Sequence, residues 1–63
     1  MKAVKIITES NQEKIEKKIN EFIVSCSNSN YDVCDIKLTM TEVNSVGINR
    51  KTYTAMIIYQ QKS

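Results

Sequence analysis

Few side chains in this sequence could take part in catalysis or bind a metal or cofactor, and the residue types that are absent or scarce exclude several kinds of site. The 63 residues contain no His, two Cys and one Gly. Without His, the hydroxyl–imidazole pair of nucleophilic catalysis cannot form, and two thiols cannot supply the four ligands of a structural zinc site. One Gly cannot build a glycine-rich phosphate loop. We therefore expect no enzyme activity, no metal and no cofactor.

The two thiols and two neighbouring carboxylates are the next candidates. Cys26 ends the apolar stripe of a predicted helix, and Cys34 lies in the apolar row of a predicted strand. Neither is near a helix N-terminus that would lower a thiol pKa, so we interpret both as packed, reduced thiols, with a disulfide between them as the alternative. Asp32 and Asp35 offer too few oxygen ligands for a hard cation. We interpret them as charges that keep a strand edge soluble.

Cations close to tyrosines give one candidate binding site. Arg50 and Lys51 follow the predicted hairpin loop, Tyr53 shares a face of the last predicted strand with Lys51, and Tyr59 follows on the same strand. In an oligomer, such side chains from several subunits could bind a small anionic or planar ligand, nucleotide-like or flavin-like, by charge and stacking. The alternative is that the tyrosines pack across a subunit interface.

Lysines on the predicted helix suggest a weaker alternative, a nucleic-acid-binding module. Lys14, Lys17 and Lys18 lie on the side of the helix that should face solvent. The net charge is only +2 and the pI about 8.6, below the range above about 9 that is typical of nucleic-acid-binding domains. We interpret these lysines as a solvated helix face.

One helix and three strands must position these side chains. Residues 2–8 read as a strand with apolar residues on both faces. Apolar residues then recur with helical spacing and predict a helix over about 11–26; they are Ile15, Ile19, Phe22, Ile23 and Cys26. Ser10 and Glu13 form a capping-box pattern at its start.

The second half of the chain changes to a period of two. From Val33 an apolar row predicts a one-faced strand; its members are Cys34, Ile36, Leu38 and Met40. Residues 44–49 contain the only Gly and two Asn and predict a hairpin loop. The last strand spans about 51–61, and we expect it to be central because residues 55–59 carry no charge.

The order β-α-β-β defines the expected fold. We predict one α+β domain over residues 1–63, with a three-stranded mixed sheet and one helix packed on one face. A right-handed crossover leaves the first two strands parallel and places the third, antiparallel to both, between them.

The last strand also predicts self-association. One helix covers one face of a sheet, so the other face exposes whatever apolar residues it carries, and a core this small is marginal without a supplement. We predict a homo-oligomer formed sheet to sheet or edge to edge. The predicted interface row is Tyr53, Ala55, Ile57 and Tyr59; the alternative row contains Met56 and Ile58.

Hydropathy favours a cytoplasmic protein. No stretch approaches the roughly 18 apolar residues that span a bilayer. The first apolar run is interrupted by Lys5 and ends at Ile7, which is too short for the apolar region of a signal peptide. We therefore expect neither a membrane partner nor a leader.

Four segments carry a resemblance that covers nearly the whole chain. They are residues 4–7 (VKII), 13–22 (EKIEKKINEF), 33–37 (VCDIK) and 53–59 (YTAMIIY). Together they resemble the small sporulation proteins of the Cse family, which are of about this length and occur in spore-forming, low-GC bacteria and their phages. The resemblance implies a setting in spore formation or a related stress programme, with a phage origin as the alternative. It implies no catalytic residues.

The element order is also similar to that of the dodecins, small oligomers that store flavin. The Trp that such proteins stack on flavin is absent from this sequence. The similarity is one of topology, and it implies only that a sheet of this size can gain a function by assembling.

Overall fold

Four elements follow one another in the computed structural model, which describes residues 1–62. They are β1 (Lys2–Glu9), α1 (Gln12–Asn28), β2 (Tyr31–Ser45) and β3 (Ile48–Gln61). The strands form one sheet in the order β1-β3-β2. The α+β class, the β-α-β-β order and the central position of β3 are confirmed.

Both strand pairings in the sheet are antiparallel. β3 pairs with β1 from Lys2↔Gln60 to Glu9↔Tyr53, and with β2 from Tyr31↔Gln61 to Ser45↔Ile48. β1 and β2 run in the same direction but are separated by β3. The prediction of a mixed sheet is therefore wrong, because the two parallel strands never pair with each other.

The start of α1 lies one residue later than predicted. Asn11 is the N-cap, and its side-chain oxygen accepts hydrogen bonds from the backbone N–H groups of Glu13 at 2.7 Å and Lys14 at 3.2 Å. Glu9 is still paired in β1, so Ser10 is needed to turn the chain toward the helix. Ser and Asn are both good cap residues, which is why the sequence pattern alone does not distinguish them.

The hairpin between β2 and β3 is tighter than predicted. Pairing continues to Ser45↔Ile48, so the loop predicted over 44–49 shrinks to Val46 and Gly47. Gly47 has a φ of 78°, in the left-handed region that glycine adopts without strain. The paired residues 41–45 and 48–52 extend beyond the end of β1 as a two-stranded arm.

A β-bulge changes the apolar row at the start of β2. The register shifts between Val33 and Asp35, so that Val33 is opposite Tyr59 and Asp35 is opposite Ile58. Cys34 is the extra residue and is exposed. The prediction that Cys34 belongs to the apolar row is wrong; Val33 takes that place and packs against the core.

The core lies between α1 and one face of β1 and β3. Its buried members are Ile7, Ile15, Ala55 and Ile57, with Ile19, Phe22, Val33 and Tyr53 packed against them. Ile15, Ala55 and Ile57 are completely buried. The row Tyr53, Ala55, Ile57 and Tyr59 therefore lies beneath the helix. The prediction that this row forms an uncovered interface is wrong. The alternative row, which contains Met56 and Ile58, faces away from the helix.

Candidate interaction surfaces

The sheet face opposite the helix, here the open face, has apolar residues at its centre. Val4 is paired with Ile58 and Ile6 with Met56, so these four side chains lie together in two adjacent rows; we call them the open-face patch. Val4 is 53% exposed, Ile6 60% and Met56 39%. Successive side chains of a strand point to opposite faces, so the burial of Ile7 and Ala55 beneath α1 places Ile6 and Met56 on the uncovered face.

Polar side chains surround the open-face patch. One row across all three strands consists of Thr8, Thr54 and Thr39, and the Thr39 hydroxyl donates to the Thr54 carbonyl oxygen at 3.4 Å. On the β2 side, Lys37 is opposite Met56 and Asp35 is opposite Ile58. An apolar centre with a polar rim is the usual composition of a protein–protein interface.

A second apolar surface lies on the helix side of β2. Ile36, Leu38 and Met40 are opposite Ile57, Ala55 and Tyr53, respectively. They are 39%, 54% and 52% exposed. We call these three residues the ledge.

The ledge is uncovered because the core reaches β2 at Val33, near the start of the strand. A helix with its side chains is about 10–12 Å wide, less than the roughly 14 Å that three strands spaced about 4.8 Å apart occupy. The core places α1 over Ile7 of β1 and Ala55 and Ile57 of β3. The alternation of the ledge predicts a one-faced amphipathic strand, but no local pattern shows how far the core reaches across β2.

An ion pair fixes α1 toward β1. The Lys18 ammonium group contacts the Glu9 carboxylate. This hydrogen bond and the charge of Lys18, with a smaller effect of Lys14, hold the pKa of Glu9 below its usual 4.5, against the opposing effect of desolvation. The pair joins α1 to the end of β1.

The predicted ligand-binding residues do not converge within one chain. Arg50 lies on the open face, whereas Lys51 and Tyr53, which alternate with it, lie on the helix side. Tyr59 is six residues from Tyr53, about 20 Å along the strand. Its ring packs edge to face on Phe22 at 5.1 Å and on Tyr31 at 5.5 Å.

Arg50 and Lys51 do share one feature, a surface depression at the base of the arm. It is lined by Ser10, Asn49, Arg50, Lys51 and Thr52. β1 ends at Glu9, opposite Tyr53, so this edge of β3 has no neighbouring strand there. The depression therefore combines two cations with a hydroxyl-bearing turn.

The remaining reactive groups show no assembled site. Cys26 is buried and Cys34 exposed, and both are free thiols. Among residues 1–62, no three His, Cys, Asp or Glu side chains are grouped closely enough to hold a metal ion. Over the same residues, no helix has the length and apolar character needed to cross a membrane.

Comparison of the chain with protein-family models, with curated proteins and with solved structures gives no match. Its role is therefore inferred from its own surfaces.

Proposed function

We propose that the chain is a small, non-enzymatic cytoplasmic protein that self-associates through its sheet and acts as a structural or interaction protein. The open-face patch carries this proposal, since it places aliphatic side chains at the centre of an uncovered sheet. In the described part of the chain five residues are buried, whereas twelve large hydrophobic residues are exposed. Such a balance is unusual for a protein that stays monomeric.

The size of the open-face patch indicates how strong this association can be. The exposed fractions of Val4, Ile6 and Met56 add up to the surface of about one and a half residues. Fully burying one such side chain contributes about 1.5–3 kcal/mol, so a symmetric dimer gains roughly 5–9 kcal/mol from the patch. Association itself costs about 4–15 kcal/mol. The patch alone therefore supports a weak dimer, and a tight one needs further contacts.

Concentration-dependent thermal unfolding tests self-association. Because the oligomer assembles from folded chains and not from unfolded ones, mass action raises the Tm with protein concentration. We expect the Tm, followed by circular dichroism at 222 nm, to rise steadily over a hundredfold concentration series. A Tm that is constant over the series would contradict the proposal.

We place this assembly in spore formation or a related stress programme. The resemblance of residues 4–7, 13–22, 33–37 and 53–59 to the Cse sporulation proteins supports this setting. Deleting the gene from the bacterial chromosome, or from the genome of a phage that carries it, should lower the yield or resistance of the host's spores. Normal sporulation in the deletion strain would contradict the proposed role in spore formation, but not the proposed self-association.

The second candidate function is ligand sequestration between subunits, favoured by the depression that Arg50 and Lys51 share. A nucleotide phosphate or a flavin phosphate would neutralise the two cations, and Tyr53 of a neighbouring subunit could stack on the ring system. ATP and FMN at 100 times their Kd would each stabilise the fold by about 2.7 kcal/mol. The thermal shift should disappear in the double variant Arg50→Gln/Lys51→Gln. No shift with either probe would exclude this function.

A further inference from the structure

We infer that one contact of the assembly is an antiparallel pairing of β2 with β2 of a second copy, with Leu38 on the two-fold axis. The inference rests on the proposed self-association and adds a second contact to it, because edge pairing leaves the open-face patch uncovered. The result would be one continuous sheet of six strands, β1-β3-β2-β2-β3-β1, with both helices on the same side.

The outer edge of β2 is long, and its charged residues, Asp32, Asp35, Lys37 and Glu42, are of both signs. In the described structure β2 pairs on one side only, with β3, and all its residues except Val33 are exposed. An open edge offers a row of unpaired N–H and C=O groups to another strand, and proteins usually block it with Pro, a bulge or charges. The bulge at Cys34 interrupts only the beginning of β2, and the sequence has no Pro. From Asp35 to Ser45 the strand is regular.

The other edge of the sheet is a poorer partner. β1 has eight residues, against fifteen in β2. It carries Lys2 and Lys5, and lysines on an edge strand oppose pairing with another chain. Self-association by edge pairing therefore favours β2.

The side chains of β2 select the register. With the axis at Leu38, each Leu38 is opposite the partner's Leu38 and each Ile36 is opposite the partner's Met40, so that the two ledges form one apolar cluster. On the open face, Lys37 is then opposite the partner's Thr39. Every ledge residue meets an apolar side chain, and no two like charges are directly opposed, an arrangement that stabilises antiparallel pairs.

Neighbouring registers are worse for identifiable reasons. An axis at Lys37 opposes two lysines directly, which is destabilising. An axis at Thr39 places Ile36 opposite the partner's Glu42. An axis at Ile36 gains two pairings between Lys37 and Asp35, but it draws the bulge at Cys34 into the paired stretch and breaks the ladder there.

The helices do not oppose this arrangement. α1 contacts all three strands, so helices centred over β3 would be separated by three strand spacings of about 4.8 Å, roughly 14 Å, against 8–10 Å for helices in direct contact. They do not collide. The two ledges form an apolar floor between them.

Disulfide trapping tests this register. In a Cys34→Ser background we introduce Leu38→Cys or, as the control, Met40→Cys; the native side chains are 54% and 52% exposed. On the axis, the two residues at position 38 are directly opposed, so in the Leu38→Cys variant their Cα atoms lie within the separation of about 4.4–6.8 Å that a disulfide requires. The two thiols introduced by Met40→Cys would be about 13 Å apart, four residues along the strand.

Under mild oxidation with diamide we expect Leu38→Cys to form a covalent dimer of twice 7.2 kDa on a non-reducing gel. Met40→Cys should cross-link at least tenfold more slowly, and the double variant Ile36→Cys/Met40→Cys should recover the dimer. Circular dichroism verifies that each variant is folded.

Three outcomes distinguish the inference from the proposed function. Equal cross-linking of Leu38→Cys and Met40→Cys would overturn the register. A wild-type oligomer whose Leu38→Cys variant stays uncross-linked would overturn the β2 pairing and leave self-association intact. A wild-type protein that is monomeric at all concentrations would overturn both.

Discussion

Replacing Ile6 by Thr tests the role of the open-face patch. Ile6 is 60% exposed and paired with Met56, so the substitution removes apolar surface from the patch and leaves the core intact. Thr is also β-branched and suits a strand. Burying the exposed part of an Ile contributes about 1–2 kcal/mol, and a symmetric dimer joined through the open face contains two copies. We expect the dimerisation Kd to rise roughly 30- to 800-fold, since 1.4 kcal/mol corresponds to a factor of ten.

Sedimentation velocity over a dilution series measures this change. The matched control is Val24→Thr, because Val24 is 59% exposed but lies on α1, outside the open face. Val24→Thr should leave the Kd within about threefold of the wild-type value, a difference below about 0.7 kcal/mol. Both variants should melt within a few degrees of the wild type at concentrations where all three are monomeric. Equal Kd values for Ile6→Thr and wild type would refute the reasoning about the patch.

Three further predictions concern the fold itself. Asn11→Ala should lower the free energy of unfolding by about 0.5–2 kcal/mol through loss of the helix cap, and Ser10→Ala by less; urea unfolding that ranks them the other way would restore Ser10 as the cap. Because the Glu9 pKa is lowered in the folded state, its pair with Lys18 stabilises the protein above pH 4.5 and is lost as the pH falls through the folded pKa; melts from pH 7 to pH 3 should fall more steeply for wild type than for Glu9→Gln, and identical slopes would contradict this. Gly47→Ala meets no atom within 4 Å, so its cost is the left-handed backbone alone, about 1–2 kcal/mol by urea unfolding; an unchanged stability would argue against the φ of 78°.

The helix and the strand order follow from local patterns. The spacing from Ile15 to Cys26 is helical because these residues must share one buried face, and β3 is central because residues 55–59 carry no charge. Both features express one constraint, that apolar groups leave water. They can therefore be predicted from the sequence without knowing the tertiary contacts.

The choice of the covered face of β3 depends on contacts that are distant in sequence. Both of its faces are apolar, so alternation alone cannot identify the one beneath α1. The structure places the small side chain of Ala55 where Ile15 packs, opposite Ile7 of β1. A small residue lets a helix approach a sheet closely, which Met56 on the other face would not allow.

The bulge at Cys34 has no sequence signal of the usual kind. Neither Gly nor Pro is present there, and a one-residue insertion leaves the period of two intact on either side. Since a shift of one residue exchanges the two faces of a strand, this bulge determines which residues of β2 belong to the core and which form the ledge. The ledge therefore could not be identified from the sequence alone.

Sedimentation equilibrium of the wild-type protein measures directly whether one copy can leave its apolar sheet surfaces in water. At about 1 mM, above the sub-millimolar Kd that a net gain of at most about 5 kcal/mol gives, we expect a mass that approaches twice the 7.2 kDa of the chain, falling on dilution. A mass of 7.2 kDa at every concentration would show that these surfaces stay exposed, and it would contradict the account.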